Sequence, residues 1–327
     1  MTLDVVGIGN AIVDVLARTE DAFLKEHSLT KGSMALTSAE DAEKLYAAMG
    51  PAVEISGGSA ANTIAGVAAL GGAAGFMGKV ANDQLGEVFS HDVRSLGVEY
   101  TTTPTSDGTP TARSFILVTP DAERTMNTFL GACVELGPDD VDEDMIKRSK
   151  VLYLEGYLWD PTEAKKAFLK AMDIANNSDT KVALTLSDSF CVDRFKHEFI
   201  ELVENQVDIL FANEAEITEL FDEPNFDKAV KMAAKHLHLV IVTRSEKGAV
   251  VISDGTRIDI PAFPTNVEDT TGAGDLYAAG FLHGYTKGLS HEDCGKIAAL
   301  CASEIISHVG ARPETDLKTL VADKLGL

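Results

Sequence analysis

The stretch that decides the fold is Asp269-Thr-Thr-Gly-Ala-Gly-Asp275, which opens directly onto the apolar run at residues 276–282. An alternating apolar segment at residues 258–262 precedes it, so the stretch joins a predicted strand to a helix predicted over residues 274–285. Both glycines then lie at a helix N-terminus, where backbone N–H groups lack intrahelical partners and attract anions. An acid such as Asp275 is also common in a first helical turn for dipole reasons alone, so the other motifs of the chain have to decide its role.

Short apolar runs alternate with helical patterns along the rest of the chain. Several of these runs are apolar throughout, as strands covered on both faces should be. Repeated alternation of this kind predicts a three-layer α/β fold with a mostly parallel central sheet and helices on both faces. Ligands of such folds bind beyond the carboxyl ends of the strands. Strands are predicted at residues 3–7, 75–80, 151–155, 182–186, 209–212, 239–243 and 250–253, and further helices at 59–70, 161–176 and 226–236.

Two regions, residues 12–55 and 99–129, depart from this alternation. The second is rich in Thr, Ser and Pro and alternates in polarity over residues 113–119. We expect both to form short antiparallel strands that meet as a small sheet inserted into a single domain over residues 1–327. Near the ligand-binding edge such a sheet would act as a lid. The segment at 101–115 predicts an exposed sheet edge, so we expect a monomer or a lid-mediated homodimer.

The composition of the chain argues against several kinds of partner. Its 327 residues carry a formal net charge of −23, whereas nucleic acids and anionic membranes attract clustered Lys and Arg. A phosphorylated small molecule needs only a local patch of N–H groups and one or two cations. The sequence has no basic amino-terminal region and no apolar run of about 18 residues, so we expect a cytoplasmic protein. The four cysteines form no C-x-x-C pair and are expected to be buried or incidental thiols.

Three further motifs lie beside predicted strands. Ser56-Gly-Gly-Ser-Ala-Ala-Asn-Thr63 allows close backbone approach at its glycines and places Asn62 in a first helical turn. Asn213-Glu-Ala-Glu216 puts an amide and carboxylates at a strand end, where they suit hydrated Mg²⁺ and phosphate oxygens or simply cap the next helix. Thr243-Arg-Ser-Glu-Lys-Gly248 is a polar turn at the same predicted edge.

The amino-terminal stretch Gly7-Ile-Gly-Asn-Ala-Ile-Val-Asp14 looks partly like a dinucleotide fingerprint. Ile12 stands where the third glycine of that fingerprint belongs, which argues against a nicotinamide site. Asn10 and Asp14 are better interpreted as short polar groups that grip vicinal hydroxyls.

Together, these motifs resemble those of the PfkB/ribokinase family of carbohydrate and nucleoside kinases. DTTGAGD matches the family's carboxyl-terminal signature D-T-x-G-A-G-D, GGSAANT its amino-terminal glycine-rich signature, and NEAE its N-x-x-E motif. The order and spacing fit over essentially the whole chain. Within the family, the run from Gly9 to Leu36 and the segment Ala122-Glu-Arg-Thr125 are most similar to adenosine kinases.

The resemblance implies ATP-dependent phosphorylation of a hydroxymethyl group, with Asp275 as the base that takes the hydroxyl proton. Gly272, Ala273 and Gly274 would direct N–H groups at the γ-phosphoryl oxygens, and Arg124 would contact the phosphates from the lid. The chain would therefore bind ATP and a small-molecule substrate, either a nucleoside or a sugar.

The resemblance also implies a substrate site, a nucleotide site and a cation loop. Mg²⁺ would bridge the ATP phosphates, held mainly through water by Asn213 and Glu216. Thr243 and Gly248 would border the ATP ribose and adenine. A K⁺ ion would use Asp269, the Thr271 carbonyl and Gly310. The implied substrate residues are Asn10, Asp14, Gly57, Gly58 and Asn62, with Tyr157 or Trp159 beside the base.

Adenosine, giving AMP, is the expected substrate. The alternative is a sugar kinase of the same fold that acts on ribose or another furanose. A non-catalytic sensor should have lost the base or the N–H loop, and both are present in this sequence.

Overall fold

A computed structural model describes residues 2–106, 108–121 and 123–327 of the chain. Its strands and helices alternate along most of this length. The strands, in chain order, are Leu3–Ile8 (β1), Ile12–Arg18 (β2), Met34–Leu36 (β3), Val53–Gly57 (β4), Ala74–Met77 (β5), Glu99–Tyr100 (β6), Ala112–Val118 (β7), Arg124–Phe129 (β8), Ser149–Glu155 (β9), Lys181–Thr185 (β10), Ile209–Asn213 (β11), Leu239–Thr243 (β12), Ala249–Ser253 (β13) and Thr256–Ile260 (β14). The α-helices are Asp21–Glu26 (α1), Ala39–Ala48 (α2), Ser59–Ala69 (α3), Gln84–Ser95 (α4), Glu143–Lys147 (α5), Thr162–Asn176 (α6), Ser189–Asn205 (α7), Glu214–Leu220 (α8), Phe226–Ala233 (α9), Ala273–Thr286 (α10), His291–Ile305 (α11) and Leu317–Leu325 (α12).

The central sheet has the strand order β14-β13-β12-β11-β10-β9-β1-β5-β6. Its strands pair in parallel from β12 to β6, while β12–β13 and β13–β14 are antiparallel. The mostly parallel sheet predicted from the alternation is therefore confirmed. One strand is shorter than predicted, because β5 ends at Met77 and the chain then turns to bond Val80 with Thr105.

Two apolar clusters cover the two faces of this sheet. Successive residues of β1 point to opposite sides, so Val5 belongs to one cluster and Val6 to the other. The first cluster includes the buried faces of α3, α10 and α11, and the second those of α6, α7 and α9. This is the three-layer, ribokinase-like α/β arrangement, with helices on both faces as predicted.

A second, smaller sheet has the strand order β3-β8-β7-β2-β4. The expectation of antiparallel strands was wrong for two of its four pairings, since β2–β7 and β3–β8 are parallel. The reason lies in the chain path. β1 continues into β2 through residues 9–11 only, so β2 must leave the central sheet outward, and β7 runs in the same direction. The strands β4, β8 and β3 run in the opposite direction to β2 and β7.

The predicted exposed edge at residues 101–115 was also wrong. The strand that begins at Ala112 lies in the middle of the small sheet, and Glu99–Tyr100 belongs to the central sheet. Position 107 of the segment lies outside the described residues. The actual edges are β3 and β4, where Leu36 is 64% and Val53 66% exposed. Monomer or lid-mediated homodimer stays a prediction.

Two further observations concern the whole described chain. Cys133, Cys191, Cys294 and Cys301 are all buried and free, as expected of incidental thiols. Within the described ranges, no helix combines the length and the apolar character needed to cross a membrane.

Candidate active site

The predicted site residues gather at the carboxyl edge of the central sheet, below the small sheet. Four chain segments meet there: the link from β1 to β2, the turn from β4 into α3, the end of β9 and the start of α10. Two of them belong to motifs more than 200 residues apart in sequence, joined by the hydrogen bonds of Asp275 with α3.

Asp275 lies in the first turn of α10, which begins at Ala273 after the N-cap Gly272. One carboxylate oxygen accepts from Ser59 Oγ at 2.6 Å, and the other accepts from Asn62 Nδ2 at 2.9 Å. Burial raises the pKa of Asp275, while these two hydrogen bonds and the Arg312 guanidinium oppose the rise. Asp275 is thus bonded to the glycine-rich segment as well as placed near its own helix dipole.

Asn62 connects Asp275 to an arginine that the sequence analysis missed. Arg312 Nη1 donates to Asn62 Oδ1, and its Nη2 donates to Ser56 Oγ at 3.1 Å. Arg312 lies in the turn between α11 and α12, where no motif points to it. The sequence carries no local signal that would bring this residue to the site.

Asp14 on strand β2 interacts electrostatically with the same groups, Asp275 and Arg312. The pKa of Asp14 is raised to about 7, chiefly by burial and also by the nearby Asp275 carboxylate, while Arg312 and Arg124 oppose the rise. Gly57 of β4 lies directly beside it, because a Cβ at that position would stand 2.3 Å from Asp14 Oδ2. The glycine is therefore required by the approach of this carboxylate.

Asn10 is held by a second residue that the sequence analysis missed, Glu155 at the end of β9. Glu155 Oε1 accepts from Asn10 Nδ2 at 2.6 Å and Oε2 accepts from the Ala60 N–H at 2.8 Å, while burial raises its pKa to about 7. Gly58 lies with φ at 95° and leaves no room for a Cβ, which would stand 2.1 Å from the Asn10 carbonyl. An acid that ends the apolar strand at 151–155 is a signal that could have identified Glu155.

The loop before Asp275 has the geometry of an anion site. Gly272 adopts φ 77°, and the Ala273 N–H turns back to the Thr270 carbonyl at 3.2 Å. Gly274 is exposed, and no described atom lies within 4 Å of the position that its Cβ would occupy. Open space therefore adjoins the N-terminus of α10, where unpaired N–H groups and the helix dipole favour negative charge.

Arg124 lies at the start of β8 and reaches the same loop. Its guanidinium forms an ion pair with Asp269 and donates from Nη1 to Thr271 Oγ1 at 2.7 Å. Its Nη2 is buried and has no hydrogen-bond partner among the described residues. The Asp269 carboxylate also accepts from the N–H groups of Thr271 and Gly310. Of the lid segment quoted with Arg124, position 122 lies outside the described residues.

The N-x-x-E motif forms a capping box at the start of α8. Asn213 accepts from the Glu216 N–H at 2.9 Å, and both oxygens of Glu216 accept from Asn213. Burial raises the pKa of Glu216 to about 7. Thr243 is paired with Asn213 across β11 and β12, and Gly248 turns with φ 83° close to the Ile260 carbonyl. The interpretation of this motif as a helix cap is confirmed. A contact of Asn213 and Glu216 with hydrated Mg²⁺ or phosphate stays a prediction.

The two aromatic residues after β9 differ in availability. Trp159 is 3% exposed, packs against Phe168 and Phe199, and donates from Nε1 to Glu198 at 2.9 Å. It belongs to the core and is excluded as a base clamp. Tyr157 is partly buried, with its N–H and hydroxyl both bonded to Ser187. Its contact with a substrate stays a prediction.

A ribokinase-like fold with a buried carboxylate beside an N–H loop defines a phosphotransferase that acts on an alcohol. The chain belongs to the pfkB family of carbohydrate kinases, whose family model matches residues 34–318. The family resemblance of the motifs is thereby confirmed, and membership of a kinase family implies ATP as phosphoryl donor.

Several solved or curated proteins are similar to the chain. A structure of a probable sugar kinase from Rhizobium etli CFN 42 is 51% identical, with TM-score 0.93 and coverage of 100% of this chain and 99% of that one. A structure of adenosine kinase from Sinorhizobium meliloti is 53% identical, with TM-score 0.92 and coverage of 99% of each chain. The 5-dehydro-2-deoxygluconokinase of Halalkalibacterium halodurans is 29% identical over 262 residues, 77% of this chain and 79% of its own.

Proposed function

We propose that the protein transfers the γ-phosphoryl group of ATP to the 5'-hydroxymethyl group of a nucleoside, with adenosine as the preferred substrate and AMP as the product. The observation that carries the proposal is an apolar row on the site-facing side of the small sheet. The 53% identity to an adenosine kinase of known structure supports the same choice.

The apolar row consists of Leu16, Ile116 and Met126, which are cross-strand partners in β2, β7 and β8. Side chains alternate along a strand, so Leu16 shares a face with Asp14, and Met126 shares it with Arg124. The opposite face, with Val13 and Val15, is buried in the core. A nucleobase next to the ribose would find apolar surface between the hydroxyl-binding and phosphate-binding residues, whereas a bare furanose would leave that surface uncovered.

The charges of the site favour a neutral acceptor. Asp14, Asp275 and Glu155 surround the space in which the hydroxyls would lie, and Arg124 is already paired with Asp269. The positive charge of Arg312 is already attracted by the carboxylates of Asp14 and Asp275. A substrate carboxylate would therefore meet more negative than positive charge, which favours a nucleoside or a neutral sugar over a sugar acid.

In the proposed reaction Asp275 takes the proton of the attacking hydroxyl, and the N–H groups of Gly272, Ala273 and Gly274 stabilise charge on the phosphoryl oxygens. Asn10, Asp14 and Asn62 grip the ribose hydroxyls, and Gly57 and Gly58 allow Asp14 and Asn10 to approach the turn into α3 closely. Phosphoryl transfer needs little covalent work from the protein, so positioning and charge stabilisation supply most of the rate.

The nucleotide half of the proposal rests on unpaired donors. The Arg124 Nη2 is a buried donor without a partner among the described residues, as expected of a group that meets a phosphate oxygen. We further propose that the small sheet is a lid on a single domain and that its closure carries Arg124 onto the phosphates. Thr243 and Gly248 would border the ATP ribose and adenine.

Mg²⁺ fits this site through ATP and water. Among residues 2–106, 108–121 and 123–327, no group of three acidic, His or Cys side chains gathers to hold a metal. Mg²⁺ keeps several waters and binds nucleotide phosphates readily, so Asn213 and Glu216 would act on its hydration shell. A K⁺ ion at Asp269, Thr271 and Gly310 fits less well, because the Arg124 guanidinium already neutralises that carboxylate.

The test is ADP release from ATP and Mg²⁺ against a panel of nucleosides, neutral furanoses and sugar acids, each with and without K⁺. We expect the highest kcat/KM with adenosine and little dependence on K⁺. Activity with ribose and none with any nucleoside would refute the nucleoside assignment and favour the sugar kinase.

A further inference from the structure

Arg312 belongs to no sequence motif, and its surroundings are chemically specific. It donates to Asn62 Oδ1 and Ser56 Oγ, and the carboxylates of Asp14, Asp275 and Asp92 attract its charge. Burial lowers the pKa of Arg312 to about 10, which still leaves it charged at neutral pH. The residue therefore places a permanent cation within electrostatic reach of two carboxylates of the site.

The first consequence concerns the orientation of Asn62. A guanidinium can only donate hydrogen bonds, so the Asn62 oxygen must face Arg312 and its NH₂ group must face Asp275. An NH₂ group can only donate, so it requires Asp275 Oδ2 to accept. The chain of bonds from Arg312 through Asn62 thus favours the ionised form of Asp275, which is the form that acts as a base.

The second consequence concerns the charge balance around the site. Asp14 on β2 and Asp275 on α10 are partly buried carboxylates and Glu155 on β9 is fully buried, and the charge of Asp275 disfavours ionisation of the other two. Arg124 on β8 also acts on Asp14, but it is bound to Asp269. Arg312 is the cation that attracts both Asp14 and Asp275.

We propose that Arg312 is a positioning residue for phosphoryl transfer, which orients Asn62 toward Asp275 and places a positive charge near Asp14 and Asp275. The proposal rests on the proposed function for the identity of the hydroxyl that attacks. Arg312 acts through Asn62 and through its charge, and it takes no proton itself.

The kinetic test compares Arg312→Met and Arg312→Lys with a control, Lys318→Met, which removes an exposed cation from the same stretch of chain. We expect Arg312→Met to lower kcat about tenfold to hundredfold at pH 7, with little change in the KM for ATP. Loss of the cation favours the neutral carboxyls, so the acidic limb of the kcat/KM profile should move to higher pH. Arg312→Lys should keep the limb in place, and Lys318→Met should match the wild type.

A purely structural role for Arg312 would lower activity without moving the acidic limb. An unmoved limb in Arg312→Met, or an equal shift in Arg312→Lys, therefore overturns the proposal.

Carboxyl ¹³C NMR titration of the free protein provides a readout that needs no substrate. Signals assigned with Asp14→Asn and Asp275→Asn should titrate at higher pH in Arg312→Met than in the wild type or in Lys318→Met. Unchanged titrations refute the role of Arg312 whichever alcohol the enzyme phosphorylates. Shifted titrations in a protein that phosphorylates no nucleoside would instead refute the proposed function alone.

Discussion

The two halves of the proposed site, one for the acceptor hydroxyl and one for the phosphates, are built in different ways. On the hydroxyl side, Asn10, Asn62 and Asp275 are already bonded to protein partners before any ligand arrives. On the phosphate side, the loop before Asp275 opens onto free space and Arg124 keeps one donor unpaired. In the proposed function, the first half is therefore preorganised and the second half would be completed by ATP. Substitutions in the first should therefore reduce the chemical step, and those in the second should weaken ATP binding.

The largest expected effect tests the hydroxyl side. Asp275→Asn keeps the shape of the side chain but removes the base, so kcat should fall by about 10²–10⁴-fold. Binding of ATP, measured by calorimetry, should survive. Asp323→Asn removes an exposed carboxylate from α12 and serves as the matched control. An Asp275→Asn enzyme that turns over at the wild-type rate would show that another group accepts the proton.

The next effect tests the phosphate side. Arg124→Gln removes a charged donor, and a hydrogen bond to a charged group contributes about 1.5–3 kcal/mol, so kcat/KM for ATP should fall roughly 10- to 100-fold. The thermal midpoint should be compared as well, because the change leaves the buried Asp269 carboxylate with only its backbone partners. Unaltered ATP kinetics with a lowered midpoint would make Arg124 a structural partner of Asp269.

A smaller expected effect tests whether the apolar row contacts a nucleobase. Leu16→Ser and Met126→Ser remove apolar surface beside Asp14 and Arg124, so the KM for adenosine should rise about tenfold. Leu169→Ser on α6 makes the same kind of change at a remote surface position and should have no such effect. Equal losses with adenosine and with ribose would show that the apolar row does not contact a base.

The smallest expected effect is on stability. The pKa of Asp14 is raised from 3.8 to about 7 in the folded protein. The protonated side chain therefore favours the folded state fully below pH 3.8, and this contribution to the free energy of unfolding is lost as pH rises through about 7. Asp14→Asn should therefore raise the thermal midpoint by about 2–6 °C at pH 8 and by less at pH 5. Scanning calorimetry at both values, with Asp323→Asn as control, measures the difference. A gain that is larger at pH 5 would contradict the assigned direction.

Local patterns predicted most of the central sheet. The predicted strand at residues 239–243 coincides with β12, and the helix predicted over residues 274–285 differs from α10 by one residue at each end. Such runs carry their own periodicity, and the glycine and asparagine motifs mark the strand ends at which ligands bind. The structure brings the amino-terminal and carboxyl-terminal signatures together at one edge of the sheet, and the roles of their residues stay predictions.

Long-range pairing could not be predicted in the same way. The parallel pairing of β2 and β7 depends on the direction in which each strand runs away from the central sheet. No local sequence pattern encodes that direction. Arg312 is a single charged residue in a turn, and only the folded chain brings it to Asn62, 250 residues away. Glu155 carried a visible signal, an acid at the end of an apolar strand, and was missed because its partner Asn10 belongs to a distant motif.

The short link from β1 to β2 has a mechanical consequence. It contains Asn10, bonded to Glu155 of the central sheet, and Asp14 follows four residues later in the small sheet. A hinge between the two sheets would thus run through the backbone segment that carries the proposed substrate residues. A ligand that engages both residues selects one hinge angle, so substrate affinity and lid closure become a single linked equilibrium. Stiffening residues 9–11 in the closed geometry would tighten substrate binding and, by the same amount of free energy, oppose the opening that releases product.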